Sequence, residues 1–169
     1  MMMFEPNHDL KSLVEGKRVA LVGPSPHLIG KGIGIKIDDY DVVCRVNDIV
    51  EERFAIDYGK KNDLIFHSCP TQWIHNFAAK LKRNKSTTEN IKLVVCPSIK
   101  AAHDGSGSVT ENFKNINICN TPFWWIGPRN YYFLCREVGV EPNSGLMAIL
   151  ILLESGVKEL LITGFSFYA

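Results

Sequence analysis

The sequence predicts an α/β domain with a mostly parallel sheet and helices on both faces. Short apolar runs alternate along the chain with helix-like segments, which is typical of parallel α/β sheets. The clearest unit begins with the apolar run 19–22, which Gly23-Pro24 stops, and continues with a helix-like segment over 28–37 and a second run over 41–46. Strand, turn, helix and strand in this order form a βαβ unit. With 169 residues, the chain is long enough for one well-cored domain and too short for two of ordinary size.

Apolar periodicity and turn residues place the other elements. We predict strands over 19–22, 41–46, 63–67, 91–96, 116–119 and 159–163. We predict helices over 9–15, 28–37, 51–58, 71–82, 129–137 and 146–154. A mobile loop is predicted over 101–110 and an aromatic turn over 123–128. A lead-in over 1–16 precedes a single domain over 17–169, which stops soon after a strand and is therefore consistent with a chain truncated at its C-terminus.

Composition and charge exclude several classes of protein. The net charge of +1 provides no global field for nucleic acid or membranes, so any anion site is local. The longest apolar run, 146–153, is far shorter than the roughly 20 residues of a membrane span. The five cysteines are odd in number and scattered, and no C-x-x-C pair occurs. We therefore expect free thiols, no zinc site and a cytoplasmic location.

Polar and small residues follow the first two predicted strands. Gly23 and Ser25 follow the first strand, and Asn47 follows the second. The carboxyl ends of parallel strands meet at one edge of a sheet, where free N–H groups and a helix N-terminus attract anions. We therefore predict that a phosphate-bearing ligand binds at Gly23, Ser25 and Asn47.

Two further candidates lie at predicted element ends. Asn143, Ser144 and Gly145 open the apolar helix 146–154. Ser144 either caps this helix or, with the neighbouring N–H groups, presents its hydroxyl to an anion. His67 ends the third predicted strand at the same edge, where it either caps the turn or acts as a general base.

Two other motifs suggest different chemistry. Gly30-Lys31-Gly32-Ile33-Gly34 resembles a dinucleotide fingerprint, but that fingerprint begins at the end of the first strand, where only Gly23 stands. Pro24 and Pro26 also lack the N–H donors that a diphosphate needs, so we favour close packing or a flexible segment for these glycines. Asp39-Tyr40-Asp41 resembles a metal-binding Asp-x-Asp motif, but it precedes the second strand. We therefore expect a solvated turn at the opposite edge of the sheet.

Two separated motifs of the chain match a known pattern. The first comprises Gly23 with Ser25, the spaced glycines Gly30, Gly32 and Gly34, and Arg45-x-Asn47. The second runs from Pro142-Asn143-Ser144-Gly145 to Thr163-Gly164-Phe165, and Gly164-x-x-Phe167-Tyr168 closes it. The first resembles the long sialyl motif of the animal-type sialyltransferases. The second is similar to their short motif and also to bacterial sialyltransferases. Together the matched segments cover about a third of the chain, in the right order.

The resemblance implies a Rossmann-like fold and transfer of sialic acid from CMP-sialic acid to a glycan acceptor. The implied reaction is an inverting, metal-independent displacement that needs no cofactor besides the donor substrate. Donor contacts map onto Ser25, Asn47, Ser144 and Gly145. Stabilisation of the leaving phosphate maps onto Tyr168, because hydroxyl and N–H donors must meet the negative charge that develops there.

The sequence departs from the family pattern at three places. Pro24 stands where the animal-type enzymes have Asn. Cys44 lies inside the first motif, but Ser155-Gly156 occupies the place of its disulfide partner, which agrees with a reducing compartment. The family's base histidine follows the last strand, whereas this sequence ends at Ala169, so we expect the chain to lack that base or to use His67. The alternatives are a catalytically silent nucleotide-binding module and a transferase with another nucleotide-linked donor.

Overall fold

The computed structural model describes residues 4–84, 89–99, 109–116 and 120–166. Over these residues, six strands form one sheet in which every pair of neighbours is parallel. The strands are β1 (Arg18–Val22), β2 (Val42–Val46), β3 (Leu64–Phe66), β4 (Leu93–Cys96), β5 (Phe123–Trp125) and β6 (Glu159–Thr163). The predicted α/β, Rossmann-like class is confirmed.

The strand order is β5-β4-β3-β2-β1-β6. The chain runs outward from β1 to β5 and then returns to β6 on the other side of β1, so the winding reverses between β1 and β6. Val19 of β1 lies opposite both Val42 of β2 and Leu160 of β6. Open α/β sheets bind ligands beyond the carboxyl ends of the strands at such a reversal. We call that end of the sheet the carboxyl edge and the opposite end the amino edge.

Helices connect the strands and cover both faces of the sheet. They are α1 (His8–Val14), α2 (Gly34–Asp38), α3 (Ala55–Tyr58), α4 (Thr71–Arg83), α5 (Val109–Ile116), α6 (Gly127–Val138) and α7 (Ser144–Glu154). Two 3-10 turns, Pro26–Leu28 and Glu52–Phe54, lie in the connections that follow β1 and β2. Among the helices described, none has both the length and the apolar character needed to cross a membrane.

Alternate residues of β1 face opposite sides of the sheet, as the two-residue period of a strand requires. Val19 and Leu21 join the larger core, on the side of α1, α6 and α7. Ala20 and Val22 join a smaller core on the side of α2 and α3. The predicted lead-in also contributes buried side chains to the larger core: Phe4, Leu10 and Val14.

Three local predictions differ from the structure. The helix predicted over 28–37 is α-helical only from Gly34, because Gly30 and Gly32 turn the chain with φ angles of 78° and 62°. The segment 123–128, predicted as an aromatic turn, contains strand β5, which pairs with β4. The segment 109–116 is helical, whereas 109–110 was predicted as part of a loop and 116 as the start of a strand. The remainder of both predictions, over 101–108 and 117–119, lies outside the described residues.

Candidate functional site

The turns after β1 and β6 pack directly against each other at the carboxyl edge. The Gly23 N–H donates to the Thr163 carbonyl, and the Ser25 N–H donates to the Gly164 carbonyl, both at 2.8 Å. A Cβ on Gly23 would lie 2.5 Å from the Gly164 carbonyl oxygen, and one on Gly164 would lie 2.7 Å from the Gly23 oxygen. Both positions therefore require glycine, since real Cβ atoms do not approach backbone oxygens so closely. The predicted Gly23 turn is a close contact between two backbones.

Ser25 begins the 3-10 turn Pro26–Leu28 and is buried. Its Oγ accepts the His27 N–H at 3.4 Å, which places the hydroxyl at the start of the turn. Its carbonyl accepts a hydrogen bond from the Tyr58 hydroxyl at 2.6 Å. The backbone of Ser25 is therefore fixed on both sides, by Gly164 and by Tyr58.

Asn47 is the first residue after β2 and has a left-handed backbone with φ of 59°. Asparagine tolerates this conformation better than most residues, and such backbone strain often marks functional sites. The Asn47 N–H donates to the Phe66 carbonyl at 2.7 Å, and its Oδ1 accepts the Ser68 N–H at 3.4 Å. The side chain is exposed at the carboxyl edge.

The third part of the site is the N-terminus of α7. Asn143 is the N-cap, and its Oδ1 accepts the Leu146 N–H at 2.9 Å. Of the two interpretations of Ser144, the cap does not apply, because Ser144 is the first helical residue and Asn143 makes the cap. A Cβ on Gly145 would lie 2.8 Å from the Phe165 ring, so glycine lets this aromatic side chain pack beneath the helix start.

Ser25, Asn47, Asn143, Ser144 and Gly145 line one open cavity of about 540 Å³ at the carboxyl edge. We call this cavity the cleft. Its other lining residues are Pro24, Val46, Leu146, Ile149, Gly164, Phe165 and Ser166. The structure thus brings together five of the six predicted ligand contacts from three separate segments, and the sixth, Gly23, lies in the turn directly before Pro24.

His67 lines a neighbouring cavity of about 590 Å³ that shares only Asn47 with the cleft. Its ring stacks on Phe77 with the centroids 4.2 Å apart, and its Nδ1 accepts the Cys69 N–H at 3.0 Å. Burial lowers the pKa of His67 to about 4, so the ring is neutral at pH 7. Because Nδ1 accepts a hydrogen bond, the proton sits on Nε2. The turn-capping interpretation of His67 therefore corresponds to an observed contact.

Two further predictions concern residues without a described place in the cleft. Tyr168 lies outside the described residues, although Ser166, two positions earlier, lines the cleft. The Asp-x-Asp motif lies at the amino edge as expected, where Asp39 pairs with Arg18. Within the described part of the chain, no three His, Cys, Asp or Glu side chains cluster as metal ligands would.

Sequence reasoning missed two side chains at the cleft: Phe165, which lines it, and Tyr58, which donates to the Ser25 carbonyl. Phe165 carried a signal, since it follows the last strand within the second motif. Tyr58 carried none, because its contact with Ser25 spans 33 residues of sequence. Arg45 also received no role. Arg45 is buried, and its Nη1 donates to the Tyr58 carbonyl at 2.8 Å. The signal in the sequence was a charged residue inside an otherwise apolar strand, which indicates a buried tertiary contact.

Comparison with known families identifies one match. The model of glycosyltransferase family 29 (sialyltransferase) matches residues 4–104, which is more than half of the chain. The matched region contains Gly23, Ser25, Asn47 and His67 but ends before α7. A comparison with curated proteins finds no match.

Proposed function

The chain belongs to glycosyltransferase family 29, the sialyltransferases, and we propose that it binds CMP-sialic acid in the cleft and transfers the sugar to a glycan acceptor. The family supports a nucleotide-sugar donor and a glycan acceptor in general. The identity of the donor, its contacts and the course of the reaction are our proposal. The cleft supports this assignment, because it lies where α/β sheets bind phosphate-bearing ligands.

The observation that carries the proposal is the set of polar groups facing the cleft. Ser25 and Ser144 offer hydroxyls, and Asn47 offers an amide. The N-terminus of α7 offers N–H groups as well, since its first backbone hydrogen bond comes from Met147, which donates to the Asn143 carbonyl. The N–H groups of Ser144 and Gly145 precede that bond, and the helix dipole favours an anion near them. We assign them to the donor phosphate.

We propose that the reaction is an inverting displacement. The acceptor hydroxyl oxygen forms a bond to the anomeric carbon of sialic acid while the bond from that carbon to the phosphate oxygen breaks. CMP leaves with the electron pair, and donors held in place stabilise the charge on its phosphate. Among the described residues of the cleft none is Asp or Glu, so the lining offers N–H and hydroxyl donors and not the carboxylates that Mg²⁺ prefers.

We propose Tyr168 as a further donor to the leaving phosphate, because Ser166 of the same segment lines the cleft. His67 is the proposed base for the acceptor hydroxyl, and this role requires the other tautomer: Nε2 takes a proton only if Nδ1 carries the ring proton and releases the Cys69 N–H. The contact with Cys69 and the low pKa of the ring favour the alternative, in which His67 fixes the turn that bears Ser68. A variant, described below, separates these two roles.

Titration calorimetry with CMP, UMP, AMP and NAD tests the donor class. We expect CMP to bind more tightly than the other three. Equal affinity for all four nucleotides, or no binding of CMP, would overturn the proposal, and tight binding of NAD would support the dinucleotide interpretation of the glycine-rich segment.

Asn47→Ala tests the contact that the proposal assigns to the donor. Loss of a polar partner that the bound donor buries should weaken CMP binding by about 1–3 kcal/mol. Asn120→Ala is a matched control, because Asn120 is also an exposed left-handed asparagine, with φ of 50°, but precedes β5 at the amino edge. An equal loss of affinity in both variants would mean that backbone strain, not the Asn47 amide, controls binding.

Release of CMP from CMP-sialic acid, with and without a galactoside acceptor, tests transfer. Loss of the base should lower the rate by about 10²–10⁴-fold. If His67→Ala retains the wild-type rate, His67 is not the base. Tight binding of CMP without any transfer would instead support the silent nucleotide-binding module.

We also propose a reducing location such as the cytoplasm. Cys44, Cys69, Cys96 and Cys135 are free thiols, and burial raises the pKa of Cys44 above its ordinary value. Thiol labelling of the unfolded protein without reductant should find these four cysteines reactive. A pair that is protected until a reductant is added would contradict the proposal.

A further inference from the structure

The segment between Ser25 and Gly34 carries a proposed donor contact but contains little regular structure. It consists of one 3-10 turn and a run of glycines before α2. Side chains from α3, more than 20 residues further along the chain, hold this segment in place. The proposed reaction gives no role to α3.

Tyr58 makes the most direct of these contacts. Its side chain is buried, and its hydroxyl donates to the Ser25 carbonyl at 2.6 Å. Its own carbonyl accepts a hydrogen bond from Arg45 Nη1 at 2.8 Å. Arg45 lies on β2, two residues before Asn47. Hydrogen bonds therefore connect Arg45 of β2 through Tyr58 to Ser25, which is a proposed donor contact.

Asp57 holds the glycine run that follows. Asp57 is buried, and its Oδ1 accepts the Gly32 N–H at 2.8 Å. Hydrogen bonds from the backbone of Gly30, Gly32 and Lys31 hold the pKa of Asp57 below its ordinary value, so the side chain is a carboxylate at neutral pH. The left-handed glycines direct these N–H groups toward a single carboxylate. The backbone N–H groups of the glycine-rich segment thus bind the carboxylate of Asp57.

Gly34 completes the contact between the two segments. A Cβ at this position would overlap the Ala55 carbonyl oxygen, and it would lie 2.7 Å from the Gly59 nitrogen. The backbone of α2 therefore rests directly on the backbone of α3. The spaced glycines of the first motif serve this packing and the contact with Asp57.

We propose that Tyr58 and Asp57 are positioning residues that preorganise the Ser25 turn for donor binding. The inference rests on the proposed function. The Ser25 peptide groups are fixed by Gly164 on one side and by Tyr58 on the other. Loss of the Tyr58 hydroxyl removes one of these two contacts, so the donor must order more of the turn on binding, which lowers affinity.

Tyr58→Phe removes only the hydroxyl and leaves the ring packed on Phe54. We expect CMP to bind roughly three- to tenfold more weakly, the range set by the loss of one neutral hydrogen bond. Tyr40→Phe is the matched control, because the Tyr40 hydroxyl donates to Glu159 at 2.8 Å at the amino edge. This control should bind CMP with unchanged affinity.

Asp57 is tested with a pair of variants. Asp57→Asn keeps an oxygen that can accept the Gly32 N–H, whereas Asp57→Ala keeps none. We expect the asparagine, which offers one acceptor oxygen in place of two, to retain part of the CMP affinity and the alanine to lose more of it. Equal affinity in both variants and the wild type would overturn the role of Asp57.

Hydrogen exchange separates positioning from general stability and needs no ligand. In Tyr58→Phe, the amides of Ser25 and Gly32 should exchange faster than in the wild type, while amides of β3 keep their protection. A uniform increase across the sheet would mean that Tyr58 only stabilises the fold and would overturn the inference. Unchanged CMP affinity in Tyr58→Phe would do the same. If the wild type fails to bind CMP, the proposed function fails, and the exchange result still decides whether Tyr58 orders the turn.

Discussion

The two edges of the sheet use glycine between β1 and β6 for different purposes. At the amino edge, the Gly16 N–H donates to the Gly156 carbonyl at 2.8 Å, and both glycines have left-handed backbones. A Cβ on Gly16 would meet nothing within 4 Å. At the carboxyl edge, Gly23 and Gly164 leave no room for a Cβ on either backbone. The amino edge needs glycine for its conformation alone, whereas the carboxyl edge needs it for close approach and, at Gly164 with φ of 72°, for conformation as well.

The polar side chains of the two edges also differ in what they contact. At the amino edge they pair with each other: Arg18 contacts Asp39 and Glu159 at 3.3 Å, and Tyr40 donates to Glu159. At the carboxyl edge, Ser25, Asn47 and Ser144 face the cleft. These polar residues of the amino edge therefore join neighbouring strands, whereas Ser25 and Asn47, which follow β1 and β2, line the cleft.

Gly23→Ala should produce the largest effect. The new Cβ would overlap the Gly164 oxygen and lie 2.9 Å from the Phe165 ring, so the two turns must separate. We expect a loss of stability near the upper end of about 1–3 kcal/mol, together with loss of CMP binding. Denaturant unfolding and calorimetry measure the two effects.

Gly16→Ala is the control from the amino edge. It forces alanine into a left-handed backbone in open space, which should cost about 1 kcal/mol and leave CMP affinity unchanged. If Gly23→Ala binds CMP normally, the close contact of the turns does not shape the cleft, and the contrast between the edges does not hold.

A buried histidine at the carboxyl edge makes stability depend on pH. The pKa of His67 is about 4 in the folded protein, below the ordinary value of roughly 6.5. Between these values the unfolded chain binds a proton that the folded chain does not, so the free energy of unfolding falls as the pH decreases. We expect a loss of about 2 kcal/mol from His67 between pH 7 and pH 5.

His67→Gln should remove this part of the pH dependence, and His75→Gln should retain it, because His75 is exposed on α4. Denaturant unfolding at the two pH values measures the difference between the variants. If the free energy of unfolding of His67→Gln depended on pH as strongly as that of the wild type, burial would not be holding the His67 ring neutral.

Much of the sheet was predictable because each central strand is a short apolar run with a turn signal at its end. Strand β6 matches its predicted range, and α4 differs by one residue. The topology then placed Ser25, Asn47 and Ser144 at one edge. By contrast, β5 has three half-buried residues and no alternating pattern, so its pairing with β4 decides its structure. The loop after Ser25 was misjudged because Asp57 and Tyr58, distant in sequence, determine its course.

Replacing the helix cap distinguishes two neighbouring residues of the cleft. Asn143→Ala removes the acceptor of the Leu146 N–H and should cost about 1 kcal/mol of stability. Ser144→Ala leaves the cap intact, so we expect unchanged stability and weaker CMP binding. Thermal melts and titrations of both variants measure these effects. A lower melting temperature with normal affinity in Ser144→Ala would show that its hydroxyl serves the helix and not the ligand.

The smallest effect is expected at the amino edge, from Asp39→Asn. Asp39 contacts Arg18 at 3.3 Å, but its side chain is 73% exposed, so water and salt screen the pair. We expect a change in melting temperature of less than about 2 °C, because exposed ion pairs contribute little to stability. CMP affinity should be unchanged, since this edge lies at the opposite end of the strands from the cleft.

The same variant tests the Asp-x-Asp alternative, in which Asp39 and Asp41 hold a metal ion. Arg18 already engages both residues, because its backbone N–H donates to Asp41 at 2.8 Å and its guanidinium contacts Asp39. Mn²⁺ should therefore leave the melting temperature of the wild type and of Asp39→Asn unchanged. If Mn²⁺ stabilised the wild type and this effect disappeared in Asp39→Asn, the amino edge would carry a ligand site as well.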